Sequence, residues 1–180
     1  MAATKELIKR IRLTASAASI EFYNIPQDFD GLEIQVSVRC DRTTNFQGLF
    51  ATFNSDSGTN YSYRRLTGEG ASANSSSASG ATHMLFGVQN SDYTTANTFS
   101  SHLITIPNYT SSTAKSISID SVSEQNATAI YMENIAGLWA GTSAITSIKL
   151  DADTGYSLKS GSSFALYGWK KGSDGITSVG

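Results

Sequence analysis

At 180 residues, the chain is long enough to fold as a single domain, 1–180, with an interior that needs no disulfide or metal staple. Charged residues are only 16% and the net charge is −2, which leaves no basic stripe for a nucleic-acid surface. One cysteine excludes an internal disulfide and a cysteine metal cluster.

No apolar run approaches the length of a membrane helix, and Met1–Arg10 has no apolar core of an export signal. The expectation is a protein made and folded in a cytoplasm, with neither a nucleic-acid nor a membrane partner. Ser and Thr make up about a quarter of the chain, beside 15 Gly, 2 Pro and 8 Tyr. That is the balance of a β-rich protein with polar turns.

In chain order, Glu6–Thr14 reads either as a strand or, through Leu7, Ile8 and Ile11, as a helical turn. The strand is preferred because the apolar positions run on into Ser19–Ile25, which Pro26 ends. Leu32–Asp41 alternates cleanly: Leu32, Ile34, Val36, Val38 and Cys40 face a core, while Glu33, Gln35, Ser37 and Arg39 face water. Leu49–Asn54 and Tyr61–Thr67 follow as strands. Gly68–Gly80 is low-complexity and reads as a Ser/Gly-rich surface loop within the domain.

Thr82–Gln89, Thr98–Ile106 and Ala114–Val122 resume strand character, with Leu103 set apart from the inward positions of its strand. Ala127–Trp139 loses its parity near Asn134, which predicts a bulge or kink. Ala144–Leu150 is a strand and Asp151–Gly155 a turn. Ser162–Lys171 carries apolar side chains at both parities, Phe164 and Leu166 against Ala165, Tyr167 and Trp169. It is therefore expected in the middle of a sheet, buried on both faces. Residues 172–180 read as a polar C-terminal tail. About ten strands and no helix predict an all-β domain, an antiparallel sandwich or jelly roll.

Candidate chemistry is sparse. His83 and His102 have no partner at motif spacing and are placed at half-exposed strand positions. No serine has the flanking glycines of a nucleophile elbow. Gly68-Glu69-Gly70 lacks the third glycine of a dinucleotide loop. Asp151-Ala152-Asp153-Thr154-Gly155 has too few ligands for a calcium loop and reads as an Asx turn, and Asp28-Phe29-Asp30 as a turn. Cys40 sits in a core alternation and reads as a small hydrophobe. No catalytic, cofactor-binding or metal residue is assigned, and no enzymatic activity is expected. Tyr23, Tyr61, Tyr63, Tyr93, Tyr109, Tyr131, Tyr156, Tyr167, Trp139 and Trp169 form either a glycan platform or parts of the core, and the sequence leaves both open.

Five stretches carry a resemblance. They are Ser19–Pro26, Leu32–Arg39, Asn60–Gly70, Gly137–Leu150 and Ser162–Gly168. In this order they resemble a β-rich module of tailed-bacteriophage virion structural proteins. The resemblance implies a structural protein of the virion, made in the host bacterial cytoplasm, and brings no catalytic residue. The expected function is a capsid decoration or cement protein. The alternative is a tail or fibre receptor-binding module that takes a host surface glycan. Expected partners are phage capsid or tail proteins and further copies of the chain, with a trimer as the expected homo-oligomer.

Overall fold

The computed structural model describes residues 5–44, 46–126, 130–153 and 155–170. These residues form twelve strands: β1 Lys5–Arg12, β2 Ser19–Phe22, β3 Gly31–Cys40, β4 Gln47–Phe53, β5 Tyr61–Glu69, β6 Ser72–Ala81, β7 Met84–Ser91, β8 Ser100–Pro107, β9 Lys115–Ser123, β10 Tyr131–Trp139, β11 Ile148–Asp151 and β12 Ser163–Trp169. No helix occurs among them. The protein is all-β, as the period-two alternation predicts.

Eight strands run side by side in the order β1-β12-β3-β8-β9-β10-β5-β6, and four more in the order β2-β11-β4-β7. Every pairing between strands is antiparallel except one. The exception joins the two groups: the end of β3 pairs parallel to the end of β7, Arg39 beside Asn90 and Cys40 beside Ser91. Beyond that join β7 lies against the inner face of β9 and β10. A Cβ on Gly87 would stand 2.3 Å from Ser121 Oγ, and one on Gly137 would stand 2.7 Å from Met84 Sδ.

The core lies between these two groups. Leu32, Ile34, Val38, Leu49, Phe53, Met84, Phe86, Ile104, Ile119, Phe164 and Leu166 are all buried there. β3 packs as its alternation predicts, with Leu32, Ile34, Val36, Val38 and Cys40 inward.

Several expectations are corrected. The strand buried on both faces is β7, in which every residue is buried. β12 does sit inside a sheet, between β1 and β3. Its second face, with Ala165, Tyr167 and Trp169, is only half-buried. The Gly68–Gly80 stretch is not a loop. Its residues Ser72–Ala81 form β6, which pairs with β5 through a tight turn at Gly70 (φ 55°) and Ala71. Small side chains weaken a strand but do not prevent one whose partner already lies alongside.

The parity break in β10 is not a bulge, because its register with β5 and β9 is continuous from Tyr131 to Trp139. Glu133, Ile135 and Trp139 point inward, and the apolar residues of opposite parity, Met132 and Leu138, point out. Arg39, expected in water, is buried because residues 92–98 fold across it. Its Nη1 donates to Thr95 O and Thr98 O, both at 2.9 Å, and its Nε to Asp92 Oδ1 at 3.3 Å. The expected tail 172–180, Lys171, Thr154 and Ala127–Ala129 lie outside the described residues.

Candidate interaction surface

The residues weighed for chemistry on sequence grounds occupy structural positions. His102, expected half-exposed, is buried. Its Nδ1 donates to Phe86 O at 2.7 Å and its Nε2 lies 2.8 Å from Ser100 Oγ. A carbonyl only accepts, so this arrangement fixes the Nδ1–H tautomer of the neutral ring. Burial pushes its pKa down to about 4. His83 is half-buried and sits edge-on to Phe50, with ring centroids 4.3 Å apart. Cys40 is a free, buried thiol whose pKa burial raises, so it is not a poised nucleophile.

In the Asp151 turn, Asp153 N donates to Asp151 Oδ1 at 3.3 Å, which is an Asx-type contact. The two carboxylates turn to different partners: Asp151 to Lys149 at 3.3 Å and Asp153 to Gln47 Nε2 at 3.2 Å. Among the described residues no three His, Cys, Asp or Glu side chains gather to hold a metal.

The candidate aromatic platform is dispersed. Tyr61, Tyr109 and Trp139 belong to the core. Tyr61 Oη donates to Asp56 O and accepts from Phe53 N, and burial raises its pKa to about 12. Trp139 Nε1 donates to Asp56 Oδ2 at 2.7 Å, which with Asn60 holds that carboxyl below its usual range. Tyr109 Oη donates to Pro26 O. Tyr131 Oη donates to Glu69 Oε1 at 2.8 Å; burial and that carboxylate raise its pKa to about 12. Tyr63, Tyr156, Tyr167 and Trp169 are half-buried. Exposed Tyr93 meets Tyr131 through Phe46, whose ring centroid is 5.9 Å from one and 4.6 Å from the other. Tyr23 is exposed elsewhere, with Lys9 Nζ 3.9 Å over its ring.

What the fold builds instead is a broad face. The side of the eight-stranded layer that turns away from β7 is not covered by any other described element. Cross-strand register sets its residues in lines. One runs Arg10, Ala165, Gln35, Leu103, Asp120, Asn134, Leu66, Ser75 from β1 to β6. The neighbouring line runs Ser163, Ser37, Ser101, Val122, Met132, Gly68, Ala73. At the usual spacing between strands the face spans roughly 30 Å.

Most of its side chains are small and polar, and charge is thin. Asn134 Nδ2 donates to Asp120 Oδ1 at 2.7 Å, which engages one of the few carboxylates. Met132, Leu66 and Val122 are 67%, 60% and 45% exposed. They border a shallow hollow of about 350 Å³ floored by Gly68 and Ala73. A second hollow, of about 480 Å³, opens towards β1, where Arg10, Gln35, Ser37, Ser101 and Tyr167 surround Leu103 and Ala165. None of these face residues is assigned a role by motif. The signal was present in β10, as the apolar residues of the wrong parity.

Compared with models of known protein families, with curated proteins and with solved structures, the chain matches none.

Proposed function

We propose that this chain is a non-enzymatic structural protein of a tailed-bacteriophage virion, a decoration or cement protein that lies on the capsid. The observation that carries the proposal is the broad outer face, with Met132, Leu66 and Val122 exposed among small polar residues. Contiguous exposed apolar side chains rimmed by polar ones suit an adhesive surface. Small, mostly uncharged neighbours suit close approach to a flat partner. The resemblance of Ser19–Pro26, Leu32–Arg39, Asn60–Gly70, Gly137–Leu150 and Ser162–Gly168 to phage virion modules supplies the partner, a capsid protein of a particle assembled in the bacterial cytoplasm. Repetition over many symmetric sites turns a modest contact into firm attachment.

Receptor binding is the second reading. The hollow lined by Tyr167, Arg10, Gln35 and hydroxyl side chains favours it, because a sugar takes an aromatic wall and convergent polar groups. Electron microscopy of the virion separates the two. Decoration predicts density over the head shell in hundreds of copies, and heads lacking the protein should fail at lower temperature. Density confined to the tail, with adsorption lost and the head intact on deletion, would refute decoration and favour the receptor reading.

A further inference from the structure

The two layers leave three strand edges open among the described residues, and the sequence treats them differently. β1 ends one side of the eight-stranded layer and pairs only with β12. Its eight residues, Lys-Glu-Leu-Ile-Lys-Arg-Ile-Arg, hold five charges, and charged side chains are a standard guard against edge pairing. β2 ends the other layer and is only four residues long, with exposed Glu21 in it. β6 ends the far side of the eight-stranded layer. It is ten residues long, Ser-Ala-Asn-Ser-Ser-Ser-Ala-Ser-Gly-Ala, with no charge and no proline. Its one irregularity, opposite Tyr61 to Tyr63, falls near its end at Gly80, so Ser72–Ala78 pairs with Tyr63–Glu69 in unbroken register. About half of the backbone N–H and C=O groups of that run therefore point outward without a strand partner.

We propose that β6 is the self-association edge of the protein: two copies pair β6 to β6, antiparallel about a twofold axis at or beside Ser75, which extends the outer face across both. The inference concerns the isolated chain and goes beyond the virion reading.

Three observations select a second copy as the occupant. A twofold at Ser75 sets Ser72 opposite Ala78, Ala73 opposite Ser77 and Asn74 opposite Ser76, so every pair is small and neutral and none clashes or repels. The alternative head-to-tail joint, β6 to a neighbour's β1, would set the five charges of β1 against an edge with no charge to answer them, and would propagate as a filament. The nearest like charges across the twofold, the two Arg65 side chains on β5, would be offset by two residues along the strands as well as by three strand spacings, roughly 16 Å, beyond the screening length at physiological salt. An antiparallel pair of like edges is closed by a twofold. The proposal therefore takes a dimer, where the sequence reading expects a trimer.

Sedimentation equilibrium on the purified full chain tests the proposal. At about 100 µM, a hundredfold above a micromolar dissociation constant, the expected mass is that of two 19.2 kDa chains. Ala73→Lys with Ser75→Lys sets ammonium groups opposite one another across the axis and should return the mass to one chain with an unchanged circular dichroism spectrum. Arg10→Ser with Arg12→Ser, on the β1 edge, should leave the dimer intact. Should the lysine variant unfold, single cysteines at positions 74 to 78 decide. Buried Cys40 does not compete, and a twofold edge pair predicts one self-crosslinking maximum that decays on both sides. A monomeric or trimeric wild type, a dimer that survives the folded lysine variant, or crosslinking with no maximum along β6 would each overturn the proposal. No particle enters these measurements, so their failure is separate from a failure of the decoration reading.

Discussion

His102 is held as a neutral ring. Its Nδ1–H is committed to Phe86 O, and burial depresses its pKa to about 4, from an ordinary value of 6.5. An unfolded chain protonates this histidine below pH 6.5 while the folded chain resists until about pH 4. The stabilising difference is fully present above pH 6.5 and is lost as pH falls between those values. At about 1.4 kcal/mol for each unit the loss is about 3 kcal/mol. Urea unfolding measured from pH 7 to pH 4 should show this decline, and His102→Gln should flatten the slope across that window.

Asp92 acts lower on the scale. Burial works against its charge, but Lys159 Nζ at 2.7 Å and Arg39 Nε at 3.3 Å outweigh that and hold its pKa below the usual range. Its contribution is present above the unfolded carboxylate pKa and is lost as pH falls below it.

Glu133 is the fully buried carboxylate of the interior. It accepts from Val88 N at 2.6 Å and Thr67 Oγ1 at 3.3 Å and pairs with Arg65 Nη1 at 3.1 Å. Removing it strands the buried Val88 N–H and takes the ion-pair partner from Arg65, which keeps its Nε bond to Ser76 Oγ and some solvent, so Glu133→Ala should cost about 2 kcal/mol. Glu133→Gln should not rescue fully, because an amide oxygen turned to Val88 N aims its NH₂ at Arg65. Denaturant midpoints of the two variants check both statements.

Among the elements, β7 is the most constrained. It is buried along its whole length and lies close over β9 and β10 at Gly87. Gly87 has φ 104°, and a Cβ there would stand 2.3 Å from Ser121 Oγ and 3.2 Å from Glu133 Oε2. Gly87→Ala combines backbone strain with overpacking, each of order 1–3 kcal/mol. The expected loss is at least about 2 kcal/mol by thermal or chemical unfolding. Gly68→Ala, in β5, is the contrast. The nearest atoms to its Cβ would be 3.8 Å away and its φ is not in the left-handed region, so its effect should be small.

At the scale of the molecule, the outer face separates stability from attachment. Leu66 and Met132 are more than half exposed in the isolated chain. Leu66→Ser with Met132→Ser should therefore change the unfolding free energy by only about 0.5 kcal/mol. If these side chains are buried against a shell, each contributes about 2 kcal/mol there. Retention on particles should then fall by more than a hundredfold for the pair. Copies retained on purified heads after washing, compared with the melting temperature of the free variant, measure the two effects independently.

Alternation alone determined much of this protein. The period-two run in Leu32–Asp41 located β3 and its inward apolar residues, because a strand buried on one face must alternate, and the strand character of Ala114–Val122 located β9. The low charge and single cysteine likewise bounded what the surface and interior hold. Tertiary structure decided what local sequence cannot encode. Ser72–Ala81 is a strand only because β5 offers it a ladder. Met132 faces out because its neighbours Glu133 and Ile135 are drawn inward, where the carboxylate finds Val88, Thr67 and Arg65 from other strands. Arg39 and His102 are buried because the loop 92–98 and the carbonyl of Phe86, distant in sequence, supply their hydrogen bonds. A polar side chain is stable in a core only where partners meet it, and those partners are set by which strands and loops lie beside it.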